Sequence, residues 1–551
     1  MSDVKKEINI GGKVATCNML ESIAFSPKFE KVIHFEFPDT IIKTPNNEKL
    51  CWLMINNKKI RQHDFLKAVP EFSTDGEHFS YIYHTFPIIG KDGTIEFGVK
   101  QSFIQIDEKN YGPYENIHTN AVFSPDNKKF AFVAEKEHEN AQFGGGLTSL
   151  VTITQHGIEK HTHNLKMFVV IDGVEQQDYI HILKPPIFSP NSKRFAYPAI
   201  KGDIKQKSHD KISGDTNQIV NQLWNADPYA NKRQVWVIDG KESPEFDGLS
   251  MFLFSPDSQH YAFIGRRGKQ YFVVHDDIES EAYFSCGSLT FNPITQDLAY
   301  SVRFNEQNSA IYYQEKYFEK QFYLIGKQGL KFSNDGKHMG YAGNNLKNQW
   351  KLMVDDEEHG WFDGIGGDAP VFSPDGKRLA YFVVRGGKQY MCIDGKFDGP
   401  YDGFVSSVVF SPDSNHYAYA GKLGNVIYIV VDGKKNSSYM GSYNDIFYSE
   451  DSKHVVFVVN KKVGAKLYNC VLIDDMEGPI FTRIFNNGKN SVKFTQNDSI
   501  LYYAVQKEGE NYNVNLVETS YNIPTKFCNQ CGTRITNVTN KFCGKCGNCL
   551  S

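Results

Sequence analysis

The chain has 551 residues, a formal net charge of −4 and a sequence pI of about 6.5, so no global basic field calls for nucleic acid or an anionic membrane. Aromatics make up 14% of residues but only 5 are Trp, a load of Phe and Tyr that suits stacked sheets better than helices. The length allows two or more domains with ample core, and no run approaches the roughly 18 apolar residues of a membrane helix.

The first residues, Met1 to Glu7, are charged and lead into a strand-like Ile8-Asn9-Ile10 without the apolar core of a secretory signal, so the expectation is a cytoplasmic protein. Ile8 to Lys13 reads as a partial repeat unit. From there a ten-residue phrase recurs, cleanest as Phe372-Ser373-Pro374-Asp375-Gly376-Lys377-Arg378-Leu379-Ala380-Tyr381. Pro374 presets φ for a turn that Asp375-Gly376 completes. In the strand that follows, Leu379, Tyr381 and Val383 alternate with Ala380, Phe382 and Val384, so both faces are apolar and both must be covered.

Aligned on the aromatic that ends the first strand, the units fall at Phe25, Phe72, Phe123, Phe188, Phe254, Phe291, Phe332, Phe372, Phe410, Tyr448 and Phe494. From Phe254 to Tyr448 the steps are 37, 41, 40, 38 and 38 residues, after earlier steps of 47, 51, 65 and 66. A second turn recurs at Asp239-Gly240, Asp394-Gly395 and Asp432-Gly433, followed by Phe246-Asp247-Gly248, Phe362-Asp363-Gly364 or Tyr401-Asp402-Gly403. Each unit is thus strand, Ser-Pro-Asp-Gly turn, strand, variable loop, strand, Asp-Gly turn, strand. Four strands at a period near 40 residues are the signature of a propeller blade.

The phrase Phe-Ser-Pro-Asp-Gly-Lys/Arg followed by Ala-Tyr/Phe resembles the TolB-like, Pro-Asp-type β-propeller repeats, which are similar in kind to WD repeats. It is also found in the propellers of prolyl-oligopeptidase-type enzymes. The resemblance covers roughly residues 8 to 520, strongest at Phe123, Phe254, Phe372 and Phe410 and weakest at Phe291, where the turn reads Asn292-Pro293-Ile294-Thr295. It implies an all-β propeller fold. TolB itself is periplasmic, and that role is not implied for a chain with no visible export signal. Eleven four-stranded blades exceed the roughly four to eight of one ring. The expected arrangement is therefore two consecutive rings, split four plus seven or five plus six, with one oversized ring as the alternative. Irregular units occupy 1–252 and regular ones 253–523.

Large insertions fall between second and third strands of the first four units, at about Pro38–Lys49, His84–Gly98, Glu135–Lys166 and Lys201–Lys232. Loops on a rigid scaffold are where binding is usually placed. Within them, Asp215 or Thr216 caps a short helix carrying Ile219, Val220, Leu223 and Trp224. His156, His161 and His163 sit in a polar loop without a partner carboxylate or Cys at regular spacing, and read as solvated rather than metal-binding. Cys17, Cys51, Cys286, Cys392 and Cys470 lie in apolar contexts as single thiols.

Beyond Ile523-Pro524 the pattern changes. Cys528-Asn529-Gln530-Cys531-Gly532 and Cys543-Gly544-Lys545-Cys546-Gly547 are two Cys-x-x-Cys knuckles, and 524–551 resembles a short zinc ribbon. Four thiolates, Cys528, Cys531, Cys543 and Cys546, would close a tetrahedral shell with no open position, making the Zn²⁺ structural. Cys549 is either a spare or a replacement for Cys546. Lys526, Arg534, Lys541 and Lys545, with no acid, make this tail basic.

The sequence carries no Gly-x-Ser-x-Gly elbow, no His-Glu-x-x-His and no phosphate-binding Gly-x-x-x-x-Gly-Lys-Ser/Thr. No catalytic or cofactor-binding residues are assigned, and the recurring turn Asp residues read as structural. The expectation is a non-enzymatic protein-interaction scaffold. A propeller hydrolase of sialidase or peptidase type, or a nucleic-acid-associated factor acting through the ribbon, is the alternative.

Overall fold

The computed structural model describes residues 2–9, 24–36, 51–85, 101–137, 150–161, 165–201, 233–326, 330–366, 370–439, 443–484, 492–520, 526–527 and 534–535, with short interruptions inside these spans. Among them every regular element is a strand, and no helix is long and apolar enough to cross a membrane. The strands form eleven antiparallel blade sheets of a β-propeller fold, as the repeat count predicts. All eleven aligned aromatics, from Phe25 to Phe494, end the inner strand of a blade. The chain divides into two compact units, one of residues 16–370 and one of 1–15 with 371–551.

In the second unit the archetypal blade has strands Val371–Phe372, Leu379–Arg385, Lys388–Ile393 and Lys396–Tyr401. The Ser-Pro-Asp-Gly phrase makes the first turn: Ser373 Oγ donates to Asp375 Oδ1 at 2.6 Å, and the same oxygen accepts the Lys377 N–H at 3.1 Å. The N–H of Arg378 closes the turn on Ser373 Oγ at 2.9 Å. Gly376 follows at φ +76°, a conformation that glycine adopts without steric cost.

Elsewhere the same left-handed position is held by Asn127, Ser192, Ser258, Ser414 or Ser452, and in the irregular turn of the sixth blade Gln296 holds it one residue later. These side chains explain their own strain, because each reaches the turn of the preceding blade. Asp126 N–H donates to Ser192 Oγ at 2.9 Å, Asn191 N–H to Ser258 Oγ at 3.0 Å, and Asp413 N–H to Ser452 Oγ at 3.0 Å. Asn127 Oδ1 accepts from Thr74 at 3.2 Å and Gln296 Oε1 from Asp257 at 3.2 Å.

Between blades, both faces of each sheet are covered, as their two-sided apolar pattern requires. Ala380, Met391 and Tyr401 pack with Val408, Phe410, Tyr419 and Val430 of the next blade. In the first unit Ile82 and Ile104 meet Phe132 and Phe168 in the same way. The last blade takes its outer strand from the start of the chain: Ser2–Asn9 runs antiparallel to Asn511–Ser520, with Ser2 opposite Thr519 and Asn9 opposite Asn513. The sequence left open which terminus supplies such a strand.

Candidate functional site

The two ends of the blades carry different chemistry. At the short-turn end, Asp394 accepts the Leu379 N–H at 3.1 Å through Oδ1 and Arg378 Nε at 2.9 Å through Oδ2. Arg378 also donates to the Asn415 carbonyl of the next blade at 2.8 Å and lies over the Phe410 and Tyr417 rings. Arg194 repeats this with Asp239 at 2.8 Å and the Gln259 carbonyl at 2.7 Å. Imidazoles take the place of Arg in the pairs His78–Asp107 at 2.7 Å, His338–Asp355 at 2.9 Å, His416–Asp432 at 2.7 Å and His454–Asp474 at 3.0 Å. The recurring acids are therefore engaged in closing turns.

The opposite end is where the insertions depart. Second strands Phe79–Thr85, Phe130–Glu137 and Phe195–Ile200 precede them, and register places His84, Glu135 and Ile200 at one equivalent level. Ile200 is the apolar residue that such a strand asks for. Glu135 is not: it is 2% exposed, with Oε2 3.2 Å from His118 Nε2 and Oε1 without a hydrogen-bond partner among the described residues. His181, from the next blade, is half-buried. Burial holds its pKa below the usual imidazole range, His118 adds to the effect and Glu135 opposes it.

His84, 1% exposed, completes the row. Its Nδ1 lies 3.0 Å from Ser102 Oγ, and the Ser102 hydroxyl donates to the Glu115 carbonyl at 3.1 Å. Nδ1 is then the protonated nitrogen that donates to Ser102. The arrangement offers a carboxylate oxygen in a poorly hydrated setting, flanked by two imidazoles. A buried acceptor of this kind is expensive to leave unmet and binds a cationic or amide donor strongly.

These residues were missed as site candidates, although a Glu at an inward position of the apolar run Phe130-Ala131-Phe132-Val133-Ala134 is a readable signal. Most of the insertions, the expected helix near Trp224 and the side chains of His156, His161 and His163 lie outside the described residues, as do Cys528, Cys531, Cys543, Cys546 and Cys549; within the third insertion, strands Leu150–Thr154 and Gly157–His161 pair as a hairpin. Strands Lys526–Phe527 and Arg534–Ile535, which flank the first knuckle, are paired, with Lys526 opposite Ile535 and Phe527 opposite Arg534. Cys286, Cys392 and Cys470 are free thiols; burial pushes Cys286 up to about 12 and Cys470 up to about 11, so neither is a thiolate nucleophile.

No protein-family model matches the chain, and no curated relative is similar enough in sequence to match. Solved structures similar in fold include a eukaryotic initiation factor, at 12% identity and TM-score 0.35 over 82% of this chain and 96% of that one. TolB from Acinetobacter baumannii aligns at 14% identity and TM-score 0.21 over 46% of this chain and 78% of its own. The propeller domain of the Trilobed protease from Pyrococcus furiosus aligns at 13% and 0.24, over 58% and 96%. At these identities the likeness concerns the fold alone.

Proposed function

We propose that the chain is a non-enzymatic protein-interaction scaffold that engages its partner at the insertion-bearing ends of the second to fourth blades. The observation that carries this reading is the unmet Glu135 Oε1 beside His118, at the point where a long insertion leaves the sheet. A partner presenting an Arg or Lys side chain would satisfy it. The recurring acids at the other end are spent on their own turns, which supports a role in shape rather than chemistry for them.

The second contact module is a structural zinc ribbon held by Cys528, Cys531, Cys543 and Cys546. Its knuckle spacing and the pairing of 526–527 with 534–535 fit that group. When bound, the ion would supply the folding energy that so short a segment lacks. The basic charge of this tail favours a second reading, contact with nucleic acid through the ribbon.

The test is affinity capture from a lysate with the full chain, Glu135→Gln, and trims of 138–149 or 202–232. The scaffold reading expects a defined partner that Glu135→Gln and the trims lose while deletion of 524–551 retains it. Salt-sensitive binding of nucleic acid abolished by deletion of 524–551, with Glu135→Gln inert, would overturn it in favour of the ribbon.

A further inference from the structure

The repeats serve as controls for one another, and the fifth blade breaks the pattern. Before the Asp of the second turn, other blades carry an aliphatic residue: Ile106, Ile171, Ile238, Val354, Ile393, Val431 and Ile473. In the fifth blade that position is His275, immediately before Asp276. An imidazole where a methyl-bearing chain packs needs a reason, because its ring nitrogens must be met or they destabilise the fold.

His275 Nε2 is buried and has no hydrogen-bond partner among the described residues. It stands 3.7 Å from Asp276 Oδ2, the same oxygen that His260 Nδ1 contacts. The two imidazoles meet edge to face with ring centroids 5.8 Å apart, and one ligand atom from each of the three residues lies within 4.8 Å of the others. Asp276 Oδ1 is already taken by the Tyr261 N–H at 2.9 Å, which fixes the carboxylate with Oδ2 toward the histidines. The Phe291 ring packs 5.7 Å from His275, and the Asp277 carboxylate is occupied by the Tyr261 hydroxyl at 2.6 Å. Arg194 is directed away, to the Asp239 carboxylate and the Gln259 carbonyl.

We propose that His260, His275 and Asp276 form a transition-metal site on the fifth blade, with two imidazole nitrogens and one carboxylate oxygen as ligands and water completing the shell. Such a donor set suits Zn²⁺, Co²⁺, Ni²⁺ or Cu²⁺ and is a poor match for Ca²⁺ or Mg²⁺, which take oxygen ligands. Ligands about 2.1 Å from a tetrahedral ion stand about 3.4 Å from one another, so His260 and Asp276 part slightly and His275 closes in on metal entry. The pairs His78–Asp107, His338–Asp355, His416–Asp432 and His454–Asp474 have the same first two members and an aliphatic or no third ligand, so they are not expected to bind.

The test is a Co²⁺ titration of the full, reduced chain after one equivalent of Zn²⁺ has filled the tighter four-thiolate site, followed by visible absorption and calorimetry. The site predicts one further cobalt per chain with d–d absorption and no thiolate charge-transfer band. Removing a hydrogen-bond partner of a metal ligand already weakens metal sites by about 10–100-fold, so losing a ligand itself should weaken this one by at least about tenfold. His275→Val restores the aliphatic of the other blades and should remain folded by circular dichroism while losing the cobalt. Asp276→Asn, which can still accept the Tyr261 N–H, should lose it too, whereas His338→Gln in the seventh blade should not. No cobalt signal in the unaltered chain, or an unchanged titration in folded His275→Val or Asp276→Asn, overturns the site.

Discussion

The backbone N–H of Asp375 donates to the hydroxyl of Ser414, one blade further on, at 3.0 Å. Ser414 holds φ +66° to make that bond, so one residue combines a left-handed backbone with a buried hydrogen bond between blades. Ser414→Ala removes the acceptor and keeps the strain, and should lower stability by about 1–3 kcal/mol. Ser414→Gly removes the same acceptor but relaxes the backbone, offsetting up to about 1 kcal/mol of that loss. Urea midpoints should therefore rank the unaltered chain first, Gly second and Ala last. An Ala variant as stable as the Gly variant would show that the backbone carries no strain there.

A second link between blades is steric. Tyr401 lies flat against Gly421 of the next blade, where an added Cβ would stand 2.6 Å from two ring carbons. Phe246 on Gly265 and Phe322 on Gly343 repeat the contact in the other unit, at 2.4 Å and 2.5 Å. Tyr401 cannot easily retreat, since its hydroxyl donates to Asp398 at 2.5 Å and its ring is fully buried. Gly421→Ala should cost about 1–3 kcal/mol through overpacking, whereas Gly403→Ala, which meets nothing within 4 Å, should be close to neutral. Equal thermal midpoints for the two variants would sink this account.

The fold was legible because one local device repeats. Ser373, Asp375 and Gly376 specify a turn by their own chemistry, and the turn recurs often enough to count the blades. What joins blade to blade was not legible in the same way. Ser414 looks like an ordinary departure from Gly, and its role as an acceptor for Asp375 depends on a residue 39 positions away. His275 was legible in principle, since aligning the second turns exposes it against Ile393 and Val431. Glu135 breaks an apolar alternation, but its pairing with His118 across 17 residues is set by strand register.

The turn carboxylates and His181 both make the fold less stable as pH falls, but in different pH ranges. The Ser373 hydroxyl, then the Lys377 N–H, hold Asp375 below the ordinary carboxylate range, and the Ser411 hydroxyl with Asn415 does the same for Asp413. A depressed acid adds stability above its unfolded value, near 4, which is lost as pH falls through the folded value. Ser411→Ala should therefore destabilise most at pH 7, with the difference narrowing below pH of about 4. His181 is depressed by burial, so the unfolded chain takes up its proton first and stability falls as pH drops below about 6.5. His181→Gln should flatten the slope of urea midpoint against pH between about 6.5 and 5. A slope identical to that of the unaltered chain would mean that His181 is as well solvated folded as unfolded.

The ribbon can be tested apart from the propeller. Four thiolates at Cys528, Cys531, Cys543 and Cys546 should retain about one zinc per chain through gel filtration, because closed tetrahedral thiolate sites hold zinc far more tightly than a His₂Asp site open to water. Elemental analysis of a reduced preparation should thus read about one zinc, falling toward zero in Cys531→Ser. Chelation should make 524–551 a protease target while leaving the strand signal in circular dichroism and the melting of 1–523 unchanged, since the blades rest on their own apolar interfaces. A reduced, unstripped chain without zinc would remove the ribbon and leave the propeller standing. Loss of blade structure on chelation would instead mean that the metal is bound within the propeller.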